Sequence, residues 1–125
     1  MILEFTKRTV QPGVTALVMK GSIHCGPECA RLEREVDAMI AARDTRVIFD
    51  MAGVTHADSA AIGAIVRCFA KLKSVGGGLR IAAAQSMVEH SLKLTKVDKV
   101  IEIFSTVDQA AQGFSGPEAS AGQRA

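Results

Sequence analysis

The chain has 125 residues, 48% of them hydrophobic, with 15 basic and 13 acidic residues and a formal net charge of +2. That length fits one domain with a core of its own, and the interspersed charges exclude a dedicated nucleic-acid arm or a polybasic membrane anchor. Five Phe without Trp or Tyr leave no platform on which single-stranded bases would stack.

In chain order, Leu3 to Thr9 and Val14 to Lys20 read as strands, and Gln11-Pro12-Gly13 between them makes an antiparallel hairpin. Gly26-Pro27 opens a helix with Cys29, Leu32, Val36, Met39 and Ile40 on one face. Val47 to Met51 is a short apolar strand. The next helix turns Ile62, Ile65, Val66, Phe69 and Leu72 inward and Arg67 and Lys71 outward, and Gly76-Gly77-Gly78 ends it. Leu79 to Ala84 is a strand. Ser86 to Glu89 fits a capping box that opens a third helix ending near Thr95. Val100 to Phe104 is the last strand, and Thr106 to Gln109 repeats the capping-box pattern before a terminal helix that stops at Gly113.

This alternation predicts an α/β fold with about four helices. The sheet is mixed and mostly parallel, because helical crossovers make neighbours parallel, and the first strand is an antiparallel edge. The helices are expected on one face, with coverage of both left open. Residues 1–114 form the domain and 115–125 a frayed tail. The N-terminus lacks the basic and apolar regions of a signal peptide, and no apolar run approaches a membrane span. Cysteines stand at 25, 29 and 68, an odd number that fits a reducing cytoplasm better than a disulfide framework.

The richest stretch is Thr55-His56-Ala57-Asp58-Ser59-Ala60-Ala61-Ile62-Gly63. It lies between a strand and an amphipathic helix, so Ser59 is presented at a first helical turn. Unpaired backbone N–H groups and the helix dipole favour an anion there. On the residues alone Asp58-Ser59 also reads as a simple helix cap. Other chemistries lack parts. His24, Cys25 and Cys29 would make half a zinc site, with no second pair to complete it. His56, Asp58 and Ser59 lie too close in sequence to converge as a triad, and Gly-x-Ser-x-Gly is missing. The glycine run has no Lys-Ser/Thr after it, so it is a turn rather than a P-loop. His90 reads as a surface or boundary residue. No metal, no cofactor and no enzymatic activity is expected.

Residues 2–114 resemble a STAS domain, the fold of bacterial anti-sigma factor antagonists. The resemblance rests on Val47-Ile48-Phe49-Asp50, the loop to Asp58-Ser59-Ala60-Ala61-Ile62-Gly63, the turn Gly76-Gly77 before Leu79-Arg80-Ile81, and Leu92-Lys93-Leu94-Thr95-Lys96-Val97-Asp98-Lys99-Val100-Ile101. It implies that Ser59 is phosphorylated by a serine/threonine kinase that is itself the anti-sigma factor. The unphosphorylated protein would bind that kinase and free a sigma factor, and a PP2C-type phosphatase would restore it. The implied partner face contains His24, Asp50, Thr55, His56, Asp58, Ala60, Gly63 and Arg67. Thr55 reads as a loop-ordering hydroxyl or a second modification site, and Asp50 as a loop-positioning residue or a kinase contact.

The chain departs from the family pattern. Ala60 removes a second hydroxyl, Ala61 replaces a common Gly, and His24 stands where Asp is common. A second function remains open, a STAS scaffold or adaptor in a larger signalling or transport-regulating assembly without chemistry at Ser59. The protein is expected to be cytoplasmic, a monomer or weak homodimer, and not to bind nucleic acid or membrane.

Overall fold

The computed structural model describes residues 3–24 and 26–114, so the expected tail at 115–125 and Cys25 lie outside the described residues. The elements are β1 (Glu4–Gln11), β2 (Val14–Ile23), α1 (Pro27–Ala41), β3 (Arg46–Ala57), α2 (Ser59–Ser74), β4 (Gly78–Ala82), α3 (Ser86–Leu94), a 3-10 turn (Val97–Lys99), β5 (Ile103–Phe104) and α4 (Val107–Ala111). Among the described residues the sheet has five strands in sequence order, β1-β2-β3-β4-β5. β1 is antiparallel to β2 and the other pairs are parallel. The α/β fold and its antiparallel edge are as expected.

Sequential order decides where the helices go. Successive right-handed crossovers in one direction place their helices on the same side of a sheet. α1, α2 and α3 therefore cover one face, where Leu32, Val36, Met39, Ile65, Cys68, Leu72 and Leu92 pack on Leu17, Met19, Val47, Phe49, Met51, Leu79 and Ile81. α4 follows the last strand and is not a crossover. It folds onto the opposite face, with Ala110, Ala111 and Phe114 over Val14, Ala16, Ile48 and Ala82. Coverage of one face thus holds for three helices and is corrected for the fourth. Strand alternation supplies both cores: Val47, Phe49 and Met51 point to one, Ile48 to the other. Burying a side chain such as Phe49 completely stabilises by about 1.5–3 kcal/mol.

The second core is thin, and a cation sits in it. Arg80 is only 7% exposed. Its Nη1 donates to the carbonyls of Ala110 and Gln112, both at 2.8 Å. The guanidinium lies 4.3 Å from the Phe114 ring centroid, and Nε is 3.5 Å from Glu102. A buried guanidinium needs such partners, and here they include one carbonyl of the five-residue α4 and that of its C-cap, Gln112.

The glycine run ends α2 as expected. Gly76 has φ +81° and donates to Lys73 O, while Gly77 donates to Leu72 O at 2.8 Å, the paired bonds of a Schellman motif. A Cβ on Gly77 would collide with the Thr45 carbonyl.

Three local expectations change. β3 runs on to Ala57 because β2 continues to pair with it past Gly53. The capping box at Ser86 does not form: Gln85 is the N-cap without a side-chain cap bond, its amide donating instead to Ala52 O at 2.7 Å. The last strand shrinks to two residues, because the chain from Val97 to Lys99 winds into a 3-10 turn entered through Lys96 at φ 66°. The second capping signal holds in part, with Thr106 Oγ1 accepting from Gln109 N at 3.1 Å.

Candidate functional site at the head of α2

β2 and β3 stay paired through Ser22–His56 and Ile23–Ala57, so both strands release the chain at the same edge. There the Asp58 N–H donates to Ile23 O at 3.2 Å, and its backbone is extended, with φ −81° and ψ 179°. The Asp58 carboxylate accepts from Ala61 N at 2.8 Å. This N-cap is worth about 1 kcal/mol. With the cap supplied by Asp58, Ser59 becomes the first residue of α2, and it is exposed.

The neighbouring polar groups are tied together. Thr55 Oγ1 donates to Gly21 O at 3.4 Å and lies 3.2 Å from Ser22 Oγ. It therefore fastens β3 to β2 from within a strand, where the sequence placed it in a loop. His24 is exposed, with Nδ1 3.8 Å from Asp58 Oδ2, an ion pair whenever the imidazole is protonated. Cys29 at the start of α1 donates its S–H to His24 O at 3.2 Å. His24, Asp58, Ser59, Thr55 and His56 are thus gathered at one edge.

Ala60 packs partly against the core. Gly63 is half-buried, and a Cβ there would meet Arg67 Nη1 at 3.5 Å. Arg67 is engaged within the molecule, donating from Nε and Nη2 to Glu33 Oε2 on α1 at 3.2 and 2.9 Å. Lys71 bonds Asp37 on α1 at 3.1 Å. The Arg67 hydrogen bond is the main cause of a Glu33 carboxyl held below its usual range. Hydrogen bonding to Asp37 chiefly raises Lys71.

Asp50 stands apart from this group. It lies mid-strand opposite Val18 and Ala82, separated from the strand end by roughly 20 Å of extended chain. Its carboxylate accepts from Ala52 N at 3.2 Å.

One feature had no signal in the motif. A groove of about 180 Å³ runs between the end of β3 and α3, lined by His24, Thr55, His56, Ala57, Asp58, Met87, Val88 and Ser91. Met87 is 69% exposed. It sits one position off the buried Val88–Leu92 stripe of α3, and an apolar residue off the stripe is the only sequence cue to this wall.

An exposed hydroxyl with a small-residue flank and an apolar groove beside it can accept a modification and meet another protein. Cys68 is buried and its thiol is pushed up to about 12, chiefly by desolvation, which makes that thiol a poor nucleophile. Among the described residues no three His, Cys, Asp or Glu side chains are placed to hold a metal, and no helix is long and apolar enough to cross a membrane.

Known proteins agree with this architecture. The model of the STAS domain family matches residues 6–110. A Thermotoga neapolitana protein named as an anti-sigma factor antagonist is 27% identical over 71 residues, covering 57% of this chain and 63% of that protein. The chain spans about three-fifths of the length of the curated relatives it matches. The crystal structure of a Thermotoga maritima protein named as an anti-sigma factor antagonist superposes with a TM-score of 0.80 at 22% identity, covering 88% of this chain and 93% of that one. The Bacillus cell fate determinant SpoIIAA in its phosphorylated form gives a TM-score of 0.67 at 13% identity, covering 87% and 97%. At those identities the two solved structures speak for the fold, and the family match joins it to the sequence: the chain belongs to the STAS domain family.

Proposed function

We propose that this protein is a phosphorylation-switched binding module of the anti-sigma factor antagonist kind, with Ser59 as the switch. The observation that carries the reading is the exposed Ser59 hydroxyl at the first position of α2, left free because Asp58 performs the capping. In this reading the unmodified protein docks a serine/threonine kinase anti-sigma factor through His24, Thr55, His56, Asp58, Ala60 and Gly63, and a sigma factor is released. The kinase then transfers the γ-phosphoryl group of ATP to Ser59 Oγ. The O–H proton leaves to a base on the kinase, and ADP departs. The phosphoryl group adds roughly −1.5 to −2 charges beside Asp58, and like-charge repulsion with desolvation opposes docking. A PP2C-type phosphatase reverses the step by hydrolysis, returning the serine and inorganic phosphate. The names of the relatives and the phosphorylated form of a structural neighbour support this reading.

Incubation of the purified chain with the candidate kinase and ATP tests it. A gain of about 80 Da, the mass of one phosphoryl group, mapped to Ser59 and lost in Ser59→Ala, is expected. No gain, together with kinase binding unaffected by Ser59→Asp, would assign the protein to the scaffold role instead.

A further inference from the structure

Ser59, Gly63 and Arg67 form an i, i+4, i+8 row along the exposed flank of α2. The Arg67 side chain leans toward the N-terminus of its helix, as helical side chains do. Nε and Nη2 are engaged with Glu33. The remaining nitrogen, Nη1, lies 3.5 Å from the point a Gly63 Cβ would occupy, on the side of the helix that leads to Ser59. Cβ positions four residues apart stand about 5–6 Å from each other, and phosphoserine carries its oxygens roughly 4 Å beyond its own Cβ. Gly63 leaves the space between them open.

We infer that Arg67 is the counter-ion of phosphorylated Ser59, Nη1 donating to a phosphoryl oxygen across Gly63 while Nε and Nη2 keep Glu33. The inference rests on Ser59 being the modified residue. The charge facing the phosphoryl group that repels it is then Asp58, and the one that attracts it is Arg67; the His24 imidazole stands beside Asp58. Glu33, Lys71 and Asp37 lie behind Arg67 on the α1–α2 seam. Modification would extend that ion-pair seam to the head of α2. It would also withdraw Arg67 from any acidic group on the docking partner, so the switch hides a cation as well as adding an anion. A planar guanidinium can serve two acceptors at once in this way, which an ammonium on the same stem does less well.

The test uses the full chain with phosphoserine installed at position 59 during translation, so that no kinase is involved. Phosphorus-31 NMR then follows the second phosphate ionisation, which lies near pH 6 for free phosphoserine. The midpoint should fall roughly half a pH unit lower in the parent than in Arg67→Gln, the scale of an exposed ion pair. The gap should close in about 1 M salt. Arg67→Lys should recover part of it. Glu33→Gln, which breaks the same helix–helix bridge but leaves the guanidinium, should keep the low midpoint. In the parent chain alone, the Arg67 Nη1 protons should shift downfield and exchange more slowly with the phosphate present.

Equal midpoints in the parent and Arg67→Gln, or unmoved Arg67 resonances on phosphorylation, would overturn the inference. So would a Glu33→Gln midpoint raised as far as that of Arg67→Gln, since the effect would then belong to helix packing. Any of these leaves a switch at Ser59 standing, whereas failure of the kinase to label Ser59 removes the switch without altering the titration.

Discussion

Asp58 and Ser59 are adjacent but differently placed: one caps α2 and the other is exposed. The Asp58 carboxylate is held by Ala61 N at 2.8 Å, so Asp58→Ala should cost about 1 kcal/mol of stability, and Asp58→Asn much less. Ser59→Ala removes an exposed hydroxyl and should leave stability within about 0.5 kcal/mol; urea unfolding of the three variants checks both expectations. Two other residues, Thr55 at the start of the motif and Arg80 outside it, differ in what a sequence shows of them. Thr55 reads as a loop residue because the apolar strand run stops at Met51, but β3 continues past it and its hydroxyl ties strand to strand through Gly21 and Ser22. Arg80 could not be singled out. It reads as one more residue of a strand, and its burial depends on Phe114 and on carbonyls 30 and 32 residues away.

At the scale of helices and strands, periodicity was a good guide where a face is buried and a poor one at the ends. α1 and α2 bury the residues their spacing predicts, apart from half-buried Ile40, Val66 and Phe69 at the margin. The Ser86–Glu89 pattern misled because a capping box is only one way to start a helix. Here Gln85 takes the cap position and its side chain is drawn to Ala52. The seam between α1 and α2 carries a pH signature. The Glu33 carboxyl is lowered, first by its hydrogen bond from Arg67, so the folded state favours the charged form. That contribution is fully present above the ordinary value of 4.5 and is lost as the pH falls through the lowered folded value. The stability difference between the parent and Glu33→Gln should therefore be constant from about pH 7 to pH 5 and shrink below about pH 4.5. Denaturant titrations at several pH values would show it; a difference independent of pH would contradict it. Gly63 belongs to the same helix. Gly63→Glu should weaken binding of the proposed partner kinase by at least roughly tenfold, through bulk and charge on a small-residue surface, while leaving the melting temperature nearly unchanged. Unchanged affinity in a folded Gly63→Glu protein would remove this flank from the docking face.

For the whole molecule, chain order and crossover handedness account for most of the architecture. Once the strands lie in sequence order, three helices must share a face and the head of α2 must open at the edge where β2 and β3 end. That much was legible from alternating strand and helix signals. The placement of α4 was not, because a terminal helix is free of the crossover rule and its docking rests on Arg80. Arg80→Ala should cost about 2–3 kcal/mol, since two hydrogen bonds from a buried cation are lost, yet leave the geometry around Ser59 intact. Equilibrium unfolding together with kinase binding would separate the two effects. The site was half legible. Motif residues from His24 to Gly63 gather at one edge, while Asp50 stays mid-strand and the Met87 wall of the groove emerges only when α3 packs beside β3. The most direct measurement is the affinity of the proposed partner kinase for this chain with serine and with installed phosphoserine at position 59, by calorimetry in one buffer. A phosphoserine chain bound roughly 100-fold more weakly, the scale of a juxtaposed like charge at an interface, is the expected result; equal affinity for the two would contradict the switch.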